Sequence, residues 1–233
     1  MAELAGRIAV VTGSSRGIGR AIAASLARAG AAVAGCAHGG GQGNFLDDLS
    51  ATEQRRCLHA TCDVRAKADV LRFRDQVGAT LGAPDIVVNN AGIVARAAAL
   101  ELAEEVWNDV LAANLTSTFL VTQAFLAAMK TARRGRIINL ASIAGHRGTP
   151  LLSAYCAAKH GVLGLTRALA EELRPEGIAV NAICPGSVDT AMLGQGMPGA
   201  APKMTVAEIA SVALFLAAQA PLALTGTCID VFG

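Results

Sequence analysis

The chain has 233 residues, 53% of them hydrophobic and 16% charged, with a formal net charge of +2. That balance excludes intrinsic disorder and offers neither a basic field for nucleic acid nor an acidic tail. The length suits one α/β domain spanning residues 1–233, since such domains run to about 250 residues without splitting.

The segment "RIAVVTG" (7–13) is an apolar strand that ends in glycine, and "GIGRAIAASLARAG" (17–30) is a helix closed by Gly30. "AAVAGCA" (31–37) is a second strand, followed by a glycine-rich connection, "HGGGQGN" (38–44). A short helix near "FLDDLSATEQ" (45–54), a strand "RCLHATCDV" (56–64) and a helix "KADVLRFRDQVGATLG" (67–82) come next. "DIVVNNAG" (85–92) is the fourth strand, and a long helix covers about 102–130. "GRIINLAS" (135–142) precedes a helix holding Tyr155 that ends near "RPEG" (174–177). "IAVNAICPG" (178–186) and "GTCIDVF" (226–232) supply two more strands, with the helix "TVAEIASVALFLAAQ" (205–219) between them. Continuous apolar strands alternating with helices predict a doubly wound, Rossmann-like parallel sheet of about seven strands, covered on both faces.

Two windows, 110–129 and 209–229, are as long as a bilayer span. The first carries Asn114, Thr116, Ser117, Thr118, Thr122 and Gln123, and Pro221 and "LTG" break the second, so no membrane segment is expected. No basic n-region with an apolar stretch and cleavage site opens the chain, so a cytoplasmic protein is expected. The six cysteines show no CxxC pair and no zinc spacing, and no metal site is expected. The basic run "KTARRGR" (130–136) reads as a solvated turn before a strand.

In such a sheet, ligands bind beyond the carboxyl ends of the strands, at the point where strand order reverses. The polar features gather there: Gly13 to Gly19, Asp63, Asn89 to Gly92, Ser142, and Pro185 to Thr190. "TGSSRGIG" (12–19) joins the first strand to the first helix, where glycines admit a pyrophosphate and a helix N-terminus supplies amides. Tyr155 is the lone tyrosine, and Lys159 lies one helical turn away on the same face. An ammonium beside a phenol favours the phenolate, which turns a group that titrates near ~10 into an acid–base catalyst. Taken singly, each feature also has an ordinary structural reading: a core tyrosine, a tight turn, a helix cap or a loop serine.

Together, "TGSSRGIG", "CDV" (62–64), "NNAG" (89–92), Asn114 in "AANLTS", "INLASIAG" with Ser142, "YCAAK" (155–159) and "NAICPGSVDT" (181–190) resemble the classical short-chain dehydrogenase/reductase family. Within it, "VTGSSRGIGRAIA" and "EEVWNDVLAANLTSTF" look most like the 3-oxoacyl-[acyl-carrier-protein] reductase group. The resemblance implies an NAD(P)-dependent oxidoreductase in which Tyr155 exchanges a proton with the substrate oxygen and Ser142 polarises that oxygen. It further implies that Lys159 lowers the tyrosine pKa and bonds the nicotinamide ribose, and that Asn114 anchors a water leading to solvent. The cofactor contacts it implies are Gly13, Ser15, Arg16, Gly17, Ile18, Gly19, His38, Asp63, Val64, Asn90, Ala91, Gly92, Tyr155, Lys159, Pro185, Gly186, Val188 and Thr190. The second strand ends in Ala37 and His38, so no carboxylate there repels a 2′-phosphate, and Arg16 can pair with one. NADP(H) is therefore favoured over NAD(H).

The resemblance implies a cofactor half (about 1–140), a catalytic and substrate half (about 141–233), and a homotetramer built on the 102–130 and Tyr155 helices. The lid over the substrate, about 191–207, is shorter than is usual for the family. It reads as flexible and apolar, rich in Gly, Pro and Met. The substrate expected is a small ketone or an acyl thioester, with acyl carrier protein as a candidate partner. A secondary alcohol or polyol dehydrogenase is the alternative, and a non-catalytic dinucleotide-binding regulator the remote one.

Overall fold

The computed structural model describes residues 3–39 and 43–233, so residues 40–42 of the glycine-rich connection lie outside the described residues. Its strands are β1 (Ile8–Thr12), β2 (Ala32–Ala37), β3 (Cys57–Thr61), β4 (Ile86–Asn89), β5 (Gly135–Leu140), β6 (Ile178–Pro185) and β7 (Cys228–Val231). The helices are α1 (Gly17–Arg28), α2 (Ala51–Gln54), α3 (Lys67–Thr80), α4 (Glu104–Leu111), α5 (Ser117–Ala132), α6 (Ser153–Leu173), α7 (Ala191–Gly196) and α8 (Val206–Ala218). All seven strands join one parallel sheet in the order β3-β2-β1-β4-β5-β6-β7.

Burial explains the unbroken apolar runs. Every residue of β4 and β6 is buried, whereas the edge strands β3 and β7 are only partly covered. One face packs Ile22, Leu26, Ile138 and Ile183 with Ile209 and Leu216, under α1 and α8. The other packs Val10, Phe73, Phe125, Ile137 and Leu173, under α3, α5 and α6.

Four local expectations change. The "FLDDLSATEQ" helix is two pieces, a 3-10 turn (Phe45–Asp48) and α2, because Ser50 caps a fresh start by accepting from Glu53 N–H. The third strand is shorter than read: Asp63 lies beyond β3 and folds back on its own neighbour through the Arg65 N–H (3.0 Å). The long helix starts at Glu104 and runs to Ala132, with a π-helical turn at Ala112–Thr116. By length and apolarity Glu104–Ala132 matches a membrane span, yet it packs on α3, α6 and the sheet. The segment read as a flexible lid opens as α7, capped by Thr190 Oγ1 accepting from Leu193 N–H, and Val188 bridges Met204.

At the amino ends of the strands the buried Asp85 ties three of them together. Its carboxylate accepts from Ile8 N–H (3.1 Å) and Arg134 Nε (2.8 Å) and pairs with Arg7 Nε (3.0 Å). The basic run before β5 is thus partly structural. Removing a buried partner strands the others. Asp85→Ala is expected to lower stability by about 3 kcal/mol in urea denaturation, with the native fold retained by circular dichroism.

Candidate active site

β1 and β4 are neighbours, but the chain leaves them in opposite directions, which opens a crevice at their carboxyl ends. A cleft of about 960 Å³ lies there. Gly13 (φ +67°) and Gly17 (φ +57°) hold left-handed backbone that side chains resist. A Cβ on Gly19 would sit 2.2 Å from Asn90 Nδ2 and 2.3 Å from the Gly13 carbonyl. Thr12 Oγ1 accepts the N–H groups of Asn90 (3.0 Å) and Ala91 (3.1 Å), and Asn90 Nδ2 donates to the carbonyls of Thr12 and Gly13. The ends of β1 and β4 are thereby locked to each other.

Most expected residues line this cleft: Gly13, Ser15, Arg16, Gly17 and Ile18 from the first turn, then His38, Asp63, Val64, Asn90, Ala91 and Gly92. Asn114, Tyr155, Lys159, Pro185 and Thr190 complete them. Gly19, Ser142, Gly186 and Val188 do not line it. Gly19 is packed behind the turn, Gly186 lies against the Phe232 backbone, and Val188 is buried in the core. Ser142 caps the 3-10 turn Ile143–Gly145, its Oγ accepting from Ala144 N–H at 3.1 Å, and its hydroxyl acts on the Tyr155 phenol to favour the ionised form.

The π-helical turn aims Asn114 at this centre. Its Nδ2 donates to the carbonyls of Ile93 and Val110 (both 2.8 Å), while its buried Oδ1 has no partner among the described residues. A Cβ on Gly92 would meet that Oδ1 at 2.4 Å and Lys159 Nζ at 3.8 Å. Lys159, 4% exposed, donates to the Leu140 carbonyl at 2.7 Å and lies 5.5 Å from the Tyr155 ring centre.

The electrostatics differ from the sequence expectation. Burial pushes the Tyr155 phenol up to about 12, with the Ser142 hydrogen bond opposing it, and burial pushes Lys159 down to about 8. Lys159 does not by itself lower the tyrosine, because the same low-dielectric surroundings disfavour both charged forms.

Carboxylates also reach the first-turn end of the cleft from elements other than β2. Asp48 is bonded by Arg20 (2.7 Å) and held below the usual carboxylate range by it. Asp63 is bonded by Arg65 (2.8 Å), which likewise lowers it, and its Oδ2 lies 3.6 Å from His38. Arg65 also pairs with Asp109 of α4. Both of these acids, which could repel a phosphate, are thus matched by an arginine. Sequence reasoning missed Arg20, Asp48, Arg65, Met192, Gln195 and the Leu140 carbonyl. Arg65 could have been sought beside Asp63, but a backbone carbonyl leaves no sequence signal.

A glycine-lined turn at a helix N-terminus, a strand-order reversal and a half-buried tyrosine beside a buried lysine and asparagine define a dinucleotide-dependent oxidoreductase site. The chain matches the short chain dehydrogenase family over residues 7–199, and it belongs to that family. It is 38% identical to a 3-oxoacyl-[acyl-carrier-protein] reductase of Pseudomonas aeruginosa, the alignment covering 99% of this chain and 98% of that one. It is 34% identical to a D-beta-hydroxybutyrate dehydrogenase of Rhizobium meliloti over 97% of each. Among solved structures, a single-substitution variant of actinorhodin polyketide ketoreductase with NADPH superposes with a TM-score of 0.90 at 34% identity, covering 97% of this chain and 96% of that one. The protein is an NAD(P)-dependent oxidoreductase acting on CH–OH or keto groups.

The shifted groups set a pH dependence. The unfolded chain keeps its Lys159 proton to about pH 10.5, the folded chain only to about 8. Stability should therefore rise with pH between those values, since the unfolded state binds more protons. The phenol acts oppositely and later, above pH 10. The melting temperature of the cofactor-free protein should climb from pH 7.5 to about 9.5, with this component of the rise missing in Lys159→Met.

Proposed function

We propose that the protein is an NADPH-dependent reductase of 3-oxoacyl thioesters or similar β-keto compounds. The observation that carries this reading is the exposed Arg16 at the rim of a cleft in which Asp48 and Asp63 are already paired with arginines, while Tyr155 waits at its other end. The 3-oxoacyl reductases among its relatives and the NADPH-bound ketoreductase support it.

The residues present fit a dinucleotide. The glycines of the first turn have no Cβ to obstruct a pyrophosphate, and Asn114 Oδ1 and Lys159 Nζ offer polar atoms beside Gly92 for a ribose or a water. Bound there, the cofactor supplies the hydride. The protein positions and protonates. Tyr155, held as a neutral phenol well past physiological pH, gives its proton to the carbonyl oxygen as negative charge develops on it. Ser142 holds that oxygen beside the phenol. Lys159, bonded to Leu140, takes up charge most readily below pH 8 and stabilises the phenolate left behind. Asn114 holds the path by which the proton is replaced.

On this reading residues 1–140 carry the cofactor and 141–233 the chemistry and substrate, with Met192 and Gln195 of α7 facing the substrate from the 191–207 lid. The enzyme works in the cytoplasm as a homotetramer, the exposed Val106 of α4 and Phe119 of α5 and the outer face of α6 providing contact surface. A second reading, oxidation of a small secondary alcohol, is favoured by the six-residue α7, which leaves little surface to hold an acyl chain. The D-beta-hydroxybutyrate dehydrogenase among the relatives is consistent with it.

The test follows NADPH or NADH consumption with acetoacetyl-CoA as substrate. NADPH turnover far exceeding that with NADH is expected, and Arg16→Ala should raise KM for NADPH roughly tenfold or more while hardly changing that for NADH. Equal rates with both cofactors would overturn the NADPH assignment. Refusal of the thioester with brisk oxidation of secondary alcohols would install the second reading. Tyr155→Phe should cut kcat by about 10³ with cofactor binding retained, as read by nicotinamide fluorescence.

A further inference from the structure

Outside the cleft's own machinery, three potential metal ligands from distant parts of the chain meet at the carboxyl edge of the sheet. Cys184 lies near the end of β6, and Asp230 is its register partner on β7. His146 follows the 3-10 turn that Ser142 caps. One ligand atom from each lies within 4.8 Å of the other two, and His146 Nε2 and Asp230 Oδ1 are already 3.0 Å apart. The thiol forms a fully buried floor, whereas the His146 and Asp230 side chains, 31% and 48% exposed, form an open rim.

We propose that His146, Cys184 and Asp230 form a binding site for Zn²⁺, with a water as the fourth ligand. Thiolate, imidazole and carboxylate are the donors zinc takes, and three protein ligands with one open position is a common zinc arrangement. The hard cations Mg²⁺ and Ca²⁺ prefer all-oxygen sets and would not use the thiol. Bonds of about 2.0–2.3 Å put tetrahedral ligand atoms roughly 3.2–3.8 Å apart, so the pocket needs only a small closure. Charge also balances. Zinc displaces the Cys184 proton to solvent, and thiolate plus carboxylate then neutralise the ion.

The surroundings favour holding this geometry. Arg147, next to His146, lies over the Phe232 ring 5.5 Å from its centre, so the turn is pinned to the end of β7 from both positions. The site also adjoins the cleft, because His146 follows directly on the turn that Ser142 caps. Without metal, the arrangement is a histidine–aspartate pair over a buried thiol.

The experiment titrates tag-free, metal-stripped protein with Co²⁺ as a spectroscopic probe and then displaces it with Zn²⁺. One ion per chain is expected, with tetrahedral visible bands and a near-ultraviolet thiolate-to-cobalt band that disappears in Cys184→Ala. His146→Asn and Asp230→Asn should each weaken binding by roughly tenfold or more. Their half-exposed positions keep these variants folded even if Cys184→Ala is not. A cobalt spectrum lacking the thiolate band, the same band in Cys184→Ala, or unchanged affinity in the His146→Asn/Asp230→Asn double variant would overturn the site. None of these readouts depends on turnover, so failure here is separate from failure of the reductase reading.

Discussion

The clamp between Thr12 and Asn90 is the interaction on which the rest of the site hangs. One hydroxyl accepts two backbone N–H groups from the end of β4, and one side-chain amide donates to two carbonyls at the end of β1. Without it the two central strands would part where their connections diverge, and the crevice would have no fixed width. The clamp also explains the glycines. With Asn90 lodged between the two turns, a methyl group on Gly13 or Gly19 has no place to go. The phosphate-admitting shape of the first turn is thus as much a consequence of strand–strand locking as of ligand recognition.

The second governing constraint is low dielectric around Tyr155 and Lys159. Tyr155 and Lys159 are set one helical turn apart, yet proximity alone does not make a phenolate, because burial acts on both charges and exceeds their mutual help. The outcome is a phenol that stays neutral up to about pH 12 and a lysine that loses its charge near pH 8. At the other end of the cleft the balance is reversed. Asp48 and Asp63 stay ionised because Arg20 and Arg65 bond them, and the polar rim screens what remains. One cleft thus holds a dry end suited to proton transfer and a wet, charge-paired end suited to a polar cofactor.

The two edges of the sheet divide the work of stability and function. Asp85 knits the amino ends of β1, β4 and β5, where the basic turn before β5 also docks. The carboxyl ends carry the Gly13–Gly17 turn and an Asn114 oxygen that has no partner among the described residues.

By itself the amino-acid sequence determined the order of strands and helices, because unbroken apolar runs bounded by glycine and alternating with helix-period segments fit buried strands of a parallel sheet. It also determined which end of the sheet would be polar, and the identity of Tyr155, Lys159 and the glycine turn, since local spacing places those groups. Tertiary structure decided whatever depends on partners far along the chain. Ser142 caps a 3-10 turn while lying close enough to Tyr155 to act on its phenol, and Val188 went into the core. A π-helical turn brought Asn114 to Gly92, Arg20 reached across to pair with Asp48, and His146, Cys184 and Asp230 met at one edge. None of these leaves a local pattern. Neither does the desolvation that sets the pKa values of Tyr155 and Lys159, because burial is a property of the whole packed fold and not of any spacing within it.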